Sequence, residues 1–183
     1  LTKMKLIKIL IYPFFFIINH LSFRVVFPKK FRRTFDFIRT KFISLLGKNT
    51  IGKNVFISKN FFSTNYNNLE FGTNGTIGMN CEFYSYDKIK IGDSFLIGSN
   101  VIIHTAEHNF NDKDRPIIDQ GSKYAPVSIG NNVYIGSGVI VLSGINISDN
   151  IIIGAGSVIT RNLESGWIYG GNPAKKIRRL NEE

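Results

Sequence analysis

Little in this chain could hold it together covalently. It has one cysteine, Cys81, which rules out an intrachain disulfide framework and permits a reducing compartment. No alanine occurs before Ala106, so the small-residue cleavage site of a secretory signal is missing behind the opening LTKMKLIKILIYPFFFIINHL. A long hydrophobic run is missing too. The apolar stretch Ile9 to Ile18 is broken by Pro13 and covers about half of the roughly 20 residues that a bilayer crossing takes. Acids are nearly absent from residues 1–48, where eleven Lys or Arg face Asp36 alone, and this accounts for the whole net charge of +10. The rest of the chain holds twelve basic and twelve acidic residues. The basic balance therefore belongs to a leader, and no nucleic-acid partner is expected of the neutral body.

What the chain does have is a repeat. From Ile129 every sixth residue is aliphatic: Ile129, Ile135, Val141, Ile147, Ile153 and Ile159. The next position is small or polar, with Gly130, Gly136, Ser148, Gly154 and Thr160 among its occupants. A period of six fits neither a helix nor the alternation of a free strand. Hexapeptide units predict a parallel β-helix, three units to a coil, with the aliphatic residue inward. The small residue beside it suits a tight corner, where glycine takes backbone angles closed to other residues. Ile51, Ile57 and Ser63, then Phe71, Ile77 and Phe83, then Ile91, Ile97 and Ile103 hold the same inward positions, with two extra residues at each of the first two junctions. The frame then jumps from Ile103 to Ile129, which predicts an excursion loop over 109–128. The expected fold is mainly β, a β-helix of about five coils and roughly 24 Å length at ordinary strand spacing. It divides into a leader (1–48), the β-helix (49–164) and a C-terminal tail (165–183). Leader and tail are expected to cap the two open ends, because unpaired strand edges invite association.

Residues 29–46 place Phe31, Phe35, Ile38, Phe42 and Leu45 on one face of a helix, with Arg32, Arg33, Arg39 and Lys41 off it. A basic amphipathic helix with aromatic residues can lie on an anionic bilayer, or it can pack on the β-helix or a neighbouring subunit. The coincidence of charge and aromatics favours a membrane surface, reached through residues 1–46.

The repeat, with TAEH before the loop and GGNPAKKI after the coils, resembles the hexapeptide-repeat acyltransferases over about residues 70–180. Within them it looks like the maltose and galactoside O-acetyltransferases. The resemblance implies a left-handed β-helix, a homotrimer, and acetyl transfer from acetyl-CoA at sites between subunits. The leader departs from those sugar enzymes and looks more like the branch acting on cell-surface polysaccharides or their lipid-linked precursors. The implied protein is an O-acetyltransferase for a sugar hydroxyl, cytoplasmic or peripheral on the cytoplasmic face of the inner membrane.

Acetyl transfer from a thioester to a hydroxyl needs a base, and histidine, with an ordinary pKa of about 6.5, suits that proton transfer. Of His20, His104 and His108, the last closes TAEH and matches the catalytic histidine of the family. His104 reads as a wall residue, and so does Cys81. The resemblance assigns Ser137, Ala155, Thr160, Arg161, Pro173, Lys175 and Arg178 to the coenzyme A side. Arg161, Lys175, Lys176, Arg178 and Arg179 would suit a donor bearing several phosphates. Asn80, Asp87 and Arg115 are the acceptor-side candidates, although ordinary turn polarity explains Asn80 and Asp87 as well. No metal is expected. A γ-carbonic-anhydrase-like enzyme on this fold needs three histidine ligands and the coil region has two. A non-catalytic scaffold would favour a long regular face without a loop beside a histidine.

Overall fold

The structure, a computed structural model, describes residues 3–20, 29–47 and 51–182. Two helices, α1 (Lys3–His20) and α2 (Lys29–Leu46), precede a left-handed parallel β-helix of about six turns. Short strands stack into three faces. The first face carries Val55–Ile57, Gly75–Ile77, Leu96–Ile97, Val133–Ile135, Ile151–Ile153 and Trp167–Gly170 in parallel, then Lys175–Arg179 antiparallel. The second carries Leu69–Phe71, Ile89–Ile91, Val127–Ile129 and Asn146–Ile147. The third carries Phe62–Ser63, Glu82–Tyr84, Ile102–His104, Ile140–Val141 and Val158–Ile159.

The sixfold frame is the core. Ile57, Ile77, Ile97, Ile135 and Ile153 stack in register up the first face, all buried. The ladder also crosses the sequence jump, since Ile91 pairs with Ile129 and Ile103 with Val141. The loop therefore leaves and rejoins the coil without breaking it. A partial sixth turn follows the five coils read from the sequence, with Leu163 bridged to Ile147 and Tyr169 paired with Ile153.

The corners use glycine differently from the sequence expectation. Gly130 and Gly136 have ordinary backbone angles. What excludes a side chain there is the next coil: a Cβ on Gly136 would lie 2.5 Å from the Ala155 nitrogen, and one on Gly130 2.2 Å from Asp149 Oδ1. The left-handed residue comes two positions later and is mostly asparagine. Asn54, Asn74, Ser94, Asn132 and Asn150 form one such column, Asn60, Asn80 and Asn100 another. Asparagine tolerates positive φ better than most residues. Stacked amides then bond along each column, as from Asn132 Nδ2 to Asn150 Oδ1 at 2.8 Å and from Asn80 Nδ2 to Asn100 Oδ1 at 3.1 Å.

The leader docks on the first coil, through a different face of α2 than its apolar stripe suggests. Arg39, Thr40, Ile43 and Leu46 are buried, whereas Leu45 is exposed and Phe35, Ile38 and Phe42 are half-buried; the side chain of Phe31 lies outside the described residues. Polar chemistry explains the rotation. Ile57 is at the open edge of the β-helix, where one N–H and one C=O lack a strand partner. Thr40 Oγ1 accepts from Ile57 N at 3.0 Å, and Arg39 Nη1 donates to Ile57 O at 3.0 Å. Arg39 also reaches Ile18 O (2.9 Å) and Asp36 Oδ1 (2.6 Å). On α1, Asn19 pairs with Phe61 through both ends of its amide, at 3.1 and 3.2 Å, as a neighbouring strand would. Helix α1 runs on through Pro13.

Candidate active site

The corner between the third and second faces is short in every turn but the third. Its first two passages contain Ser85 and the 3-10 turn Tyr66–Asn68, tied together when buried Ser85 Oγ accepts from Asn65 N and donates to Asn65 O. At the third passage the chain departs at buried Thr105, whose Oγ1 donates to Tyr84 O and accepts from Asp87 N, both at 2.8 Å. Beyond it Ala106–His108 pairs antiparallel with Ser122–Tyr124. The excursion is thus a hairpin rooted at Thr105. Gln120 holds its tip, donating from Nε2 to Asp112 O and Arg115 O, both at 2.8 Å.

His108 lies exposed on this hairpin, directly across from Ser122, with Nδ1 3.2 Å from Ser122 Oγ. Ser122 is the partner that sequence reasoning missed, because only the hairpin register brings residues fourteen apart together. His104 sits on the coil itself, its ring stacked on Tyr84 at 4.8 Å and 4°. Burial holds its pKa below the ordinary value, against the pull of Glu82. The Tyr84 hydroxyl donates to Glu82 Oε2 at 2.7 Å. Among the described residues, no group of three or more His, Cys, Asp or Glu could hold a metal ion.

The other candidates divide between the two edges of the third face. Asp87, Thr160 and Arg161 share the His108 edge, where Asp87 Oδ1 accepts from Lys88 N at 2.6 Å. Arg115 turns back into the hairpin to donate to Asp119 O. The opposite edge holds Asn80 in the second turn and, beyond the turn of Ser99 and Asn100, Ser137 and Ala155 in the next two. Ser137 Oγ accepts from Ser99 N at 3.1 Å. The tail folds over the same edge: Gly171 N donates to Ser157 Oγ (3.2 Å), and Ala174 N to Val158 O (2.9 Å), which brings Pro173 beside the Ala155 turn. Lys175 and Arg178 are exposed on the final strand, where Arg178 bonds the carbonyls of Arg179 and Glu182. On the same strand Lys176 and Arg179 lie over the Trp167 ring, at 4.6 and 4.5 Å. About five extended residues, roughly 16 Å, separate the two edges within one chain.

Residues 126–161 match the family model described as the hexapeptide repeat of succinyl-transferase. The chain is 32% identical to the galactoside O-acetyltransferase of Escherichia coli over 73% of its own length and 64% of that enzyme's, just under two thirds. It is 39% identical to the Saccharomyces cerevisiae protein YJL218W, which carries an acetyltransferase name, over 76% of this chain and 69% of that one. A solved galactoside acetyltransferase in complex with coenzyme A superposes with a TM-score of 0.77 at 26% identity, covering 99% of this chain and 84% of that chain. With the register of its coils and the position of its hairpin, the chain belongs to the hexapeptide-repeat acyltransferase family.

Proposed function

We propose that the chain is an O-acetyltransferase that moves the acetyl group of acetyl-CoA to a hydroxyl of a sugar, within a cell-surface polysaccharide or its precursor. One observation carries the reading: the exposed imidazole of His108, oriented through Nδ1 by Ser122, on a hairpin beside the coil. With Nδ1–H donating to Ser122 Oγ, Nε2 keeps its lone pair for an incoming hydroxyl. That nitrogen takes the hydroxyl proton as the oxygen attacks the thioester carbonyl. The tetrahedral adduct collapses, the carbon–sulfur bond breaks, and the imidazolium returns its proton to the departing thiolate. Backbone N–H groups at the Ser137 turn are suited to the developing oxyanion.

The donor candidates fit an extended, anionic ligand. Ala155 and Thr160 flank the last rung of the third face, and exposed Arg161, Lys175 and Arg178 supply cations for its phosphates. Asp87 is the acceptor-side candidate at the His108 edge. Asn80, in the opposite column, would approach that edge only from another protomer. The same separation supports a homotrimer, because His108 and Ser137 lie at opposite edges of one face and would meet across a subunit boundary. The coenzyme A complex of the superposed galactoside enzyme supports the donor.

The test is subunit mixing. His108→Ala chains and Ser137→Pro chains, each inactive alone, are co-refolded and assayed for thiol release from acetyl-CoA with a panel of sugars. Recovery of activity is expected, since some mixed boundaries pair an intact His108 with an intact Ser137. Wild-type protein that releases no thiol with any sugar or surface glycan rejects the activity. Mixed protein that stays inactive rejects the shared site.

A further inference from the structure

Helix α1 is apolar on more than the side it docks. Buried Phe15 and Asn19 face the coil. Around the rest of the helix, Tyr12, Phe14, Phe16 and Ile17 are 57, 64, 58 and 56% exposed, with Pro13 and His20 exposed between them. At 100° per residue these positions sweep roughly 200° of the helix surface. A helix apolar nearly all round calls for a second apolar environment, and no described helix is long and apolar enough to cross a membrane. Two occupants compete, a second copy of the chain or a lipid surface. Charge decides between them. Residues 1–48 carry eleven basic residues and one acid, so two such leaders face to face would repel. An anionic surface complements the same charge, and two of those cations, Arg33 and Lys41 on α2, are exposed, Lys41 over the exposed ring of Phe37 at 5.3 Å.

We infer that α1 lies in the interface of an anionic bilayer, with Tyr12, Phe14, Phe16 and Ile17 entering the boundary between headgroups and acyl chains. Aromatic and aliphatic side chains with flanking cations are what such a surface retains. The contact face is thus on α1, whereas the apolar stripe of α2 is partly spent on the first coil. Because the leader caps the first rung, the membrane meets that end of the prism. His108, on the hairpin leaving the third rung, then stands only about 10 Å further along the axis, at two strand spacings. A hydroxyl carried on a membrane-anchored acceptor would be within reach. The docking itself does not depend on the proposed chemistry.

Flotation of the full chain with vesicles tests it, using phosphatidylcholine alone or mixed with phosphatidylglycerol, at low and at high salt. Wild-type protein is expected to bind the anionic vesicles at least about tenfold more tightly than the neutral ones, and to release them as salt rises. Phe14→Ser with Ile17→Ser should weaken binding about tenfold while leaving the circular dichroism spectrum and the assembly size unchanged. Absence of an anionic preference, or a double variant that binds as wild type does, overturns the inference. A double variant that falls to a smaller assembly assigns the face to a second copy and overturns it equally.

Discussion

Replacing Arg39 tests how the leader is held. The guanidinium is 2% exposed and bonds three groups: Ile57 O, Ile18 O and the Asp36 carboxylate. Burial lowers its pKa and the Asp36 charge opposes that shift, so the pair is a desolvated cation with a nearby anion. Arg39→Ala strands two backbone carbonyls, at about 1–3 kcal/mol each if they stay dry. Asp36 keeps a quarter of its side chain in water, which limits its share of the loss. Relief of the guanidinium's own desolvation offsets part of the remainder. The net expectation is a loss of about 3–4 kcal/mol, and for a chain of this size a fall in Tm of roughly 6–16 °C. Arg39→Met keeps the packing of the stem and should lose about 2 kcal/mol. Because each coil contacts only its neighbours, the damage should be local: trypsin releases the leader first while the later coils resist. Thermal melts by circular dichroism with timed proteolysis read both quantities. An Arg39→Ala variant within about 1 kcal/mol of wild type, with its leader equally protected, would refute the reasoning.

His108→Ala should lower kcat by about 10²–10⁴, and Ser122→Ala by about tenfold with KM for acetyl-CoA unchanged, since it removes only the group that orients Nδ1; steady-state thiol release checks both, and near-wild-type turnover of His108→Ala rejects the base. Cys81 is buried and its thiol is pushed up to about 11, so it should resist iodoacetamide in the folded protein and react on unfolding, and Cys81→Ala should keep its activity. The sign for stability follows: a thiol raised by folding contributes below its unfolded pKa of about 8.5, and that contribution fades as pH climbs through about 11, which urea titrations across that window would register. Asn132 has φ of 54° and a 2.8 Å amide bond to Asn150, so Asn132→Ala should cost about 2 kcal/mol and Asn132→Gly under about 1. Equal urea midpoints for the two variants would remove the backbone angle as the reason for asparagine.

The register of the coils was legible because burial acts on nearly every sixth side chain, Ile51 at the open end being only half-buried. Nothing but an inward side chain meets the demand at Ile57, Ile77 or Ile97, and composition records it directly. The leader was less legible for a physical reason. Its apolar stripe counts carbon, but the edge of the first coil needs hydrogen-bond partners as well as carbon, so Arg39 and Thr40 face inward and Leu45 is exposed. The glycines were misread by the same kind of economy. Small size was taken to mean special backbone angles, when at Gly136 it means the backbone of Ala155 passing 2.5 Å from where a Cβ would be. Positive φ is shared between other glycines, Gly138, Gly144 and Gly156 among them, and a set of asparagines whose stacked amides leave no mark in a hydrophobicity pattern.

The site inherits the geometry of the repeat. Six residues carry the chain to the next corner and eighteen or twenty return it to the same one, so neighbours in sequence part while distant residues align. Ser137 and Ala155 share a column, as Tyr84 and His104 do, because their spacing is one coil. Ser122 meets His108 at a spacing of fourteen because a hairpin, outside the coil period, sets that pairing. Periodicity therefore discloses which residues are stacked and is silent on which corner faces a substrate. The period breaks most widely at one corner: Thr105 ends the third rung, the chain leaves, and the exposed imidazole of His108 goes out with it on the strand Ala106–His108. A hairpin can lift that imidazole away from the flat face behind it, toward whatever closes against the edge. A residue kept on the rung, as His104 is by its stack on Tyr84, remains part of the wall.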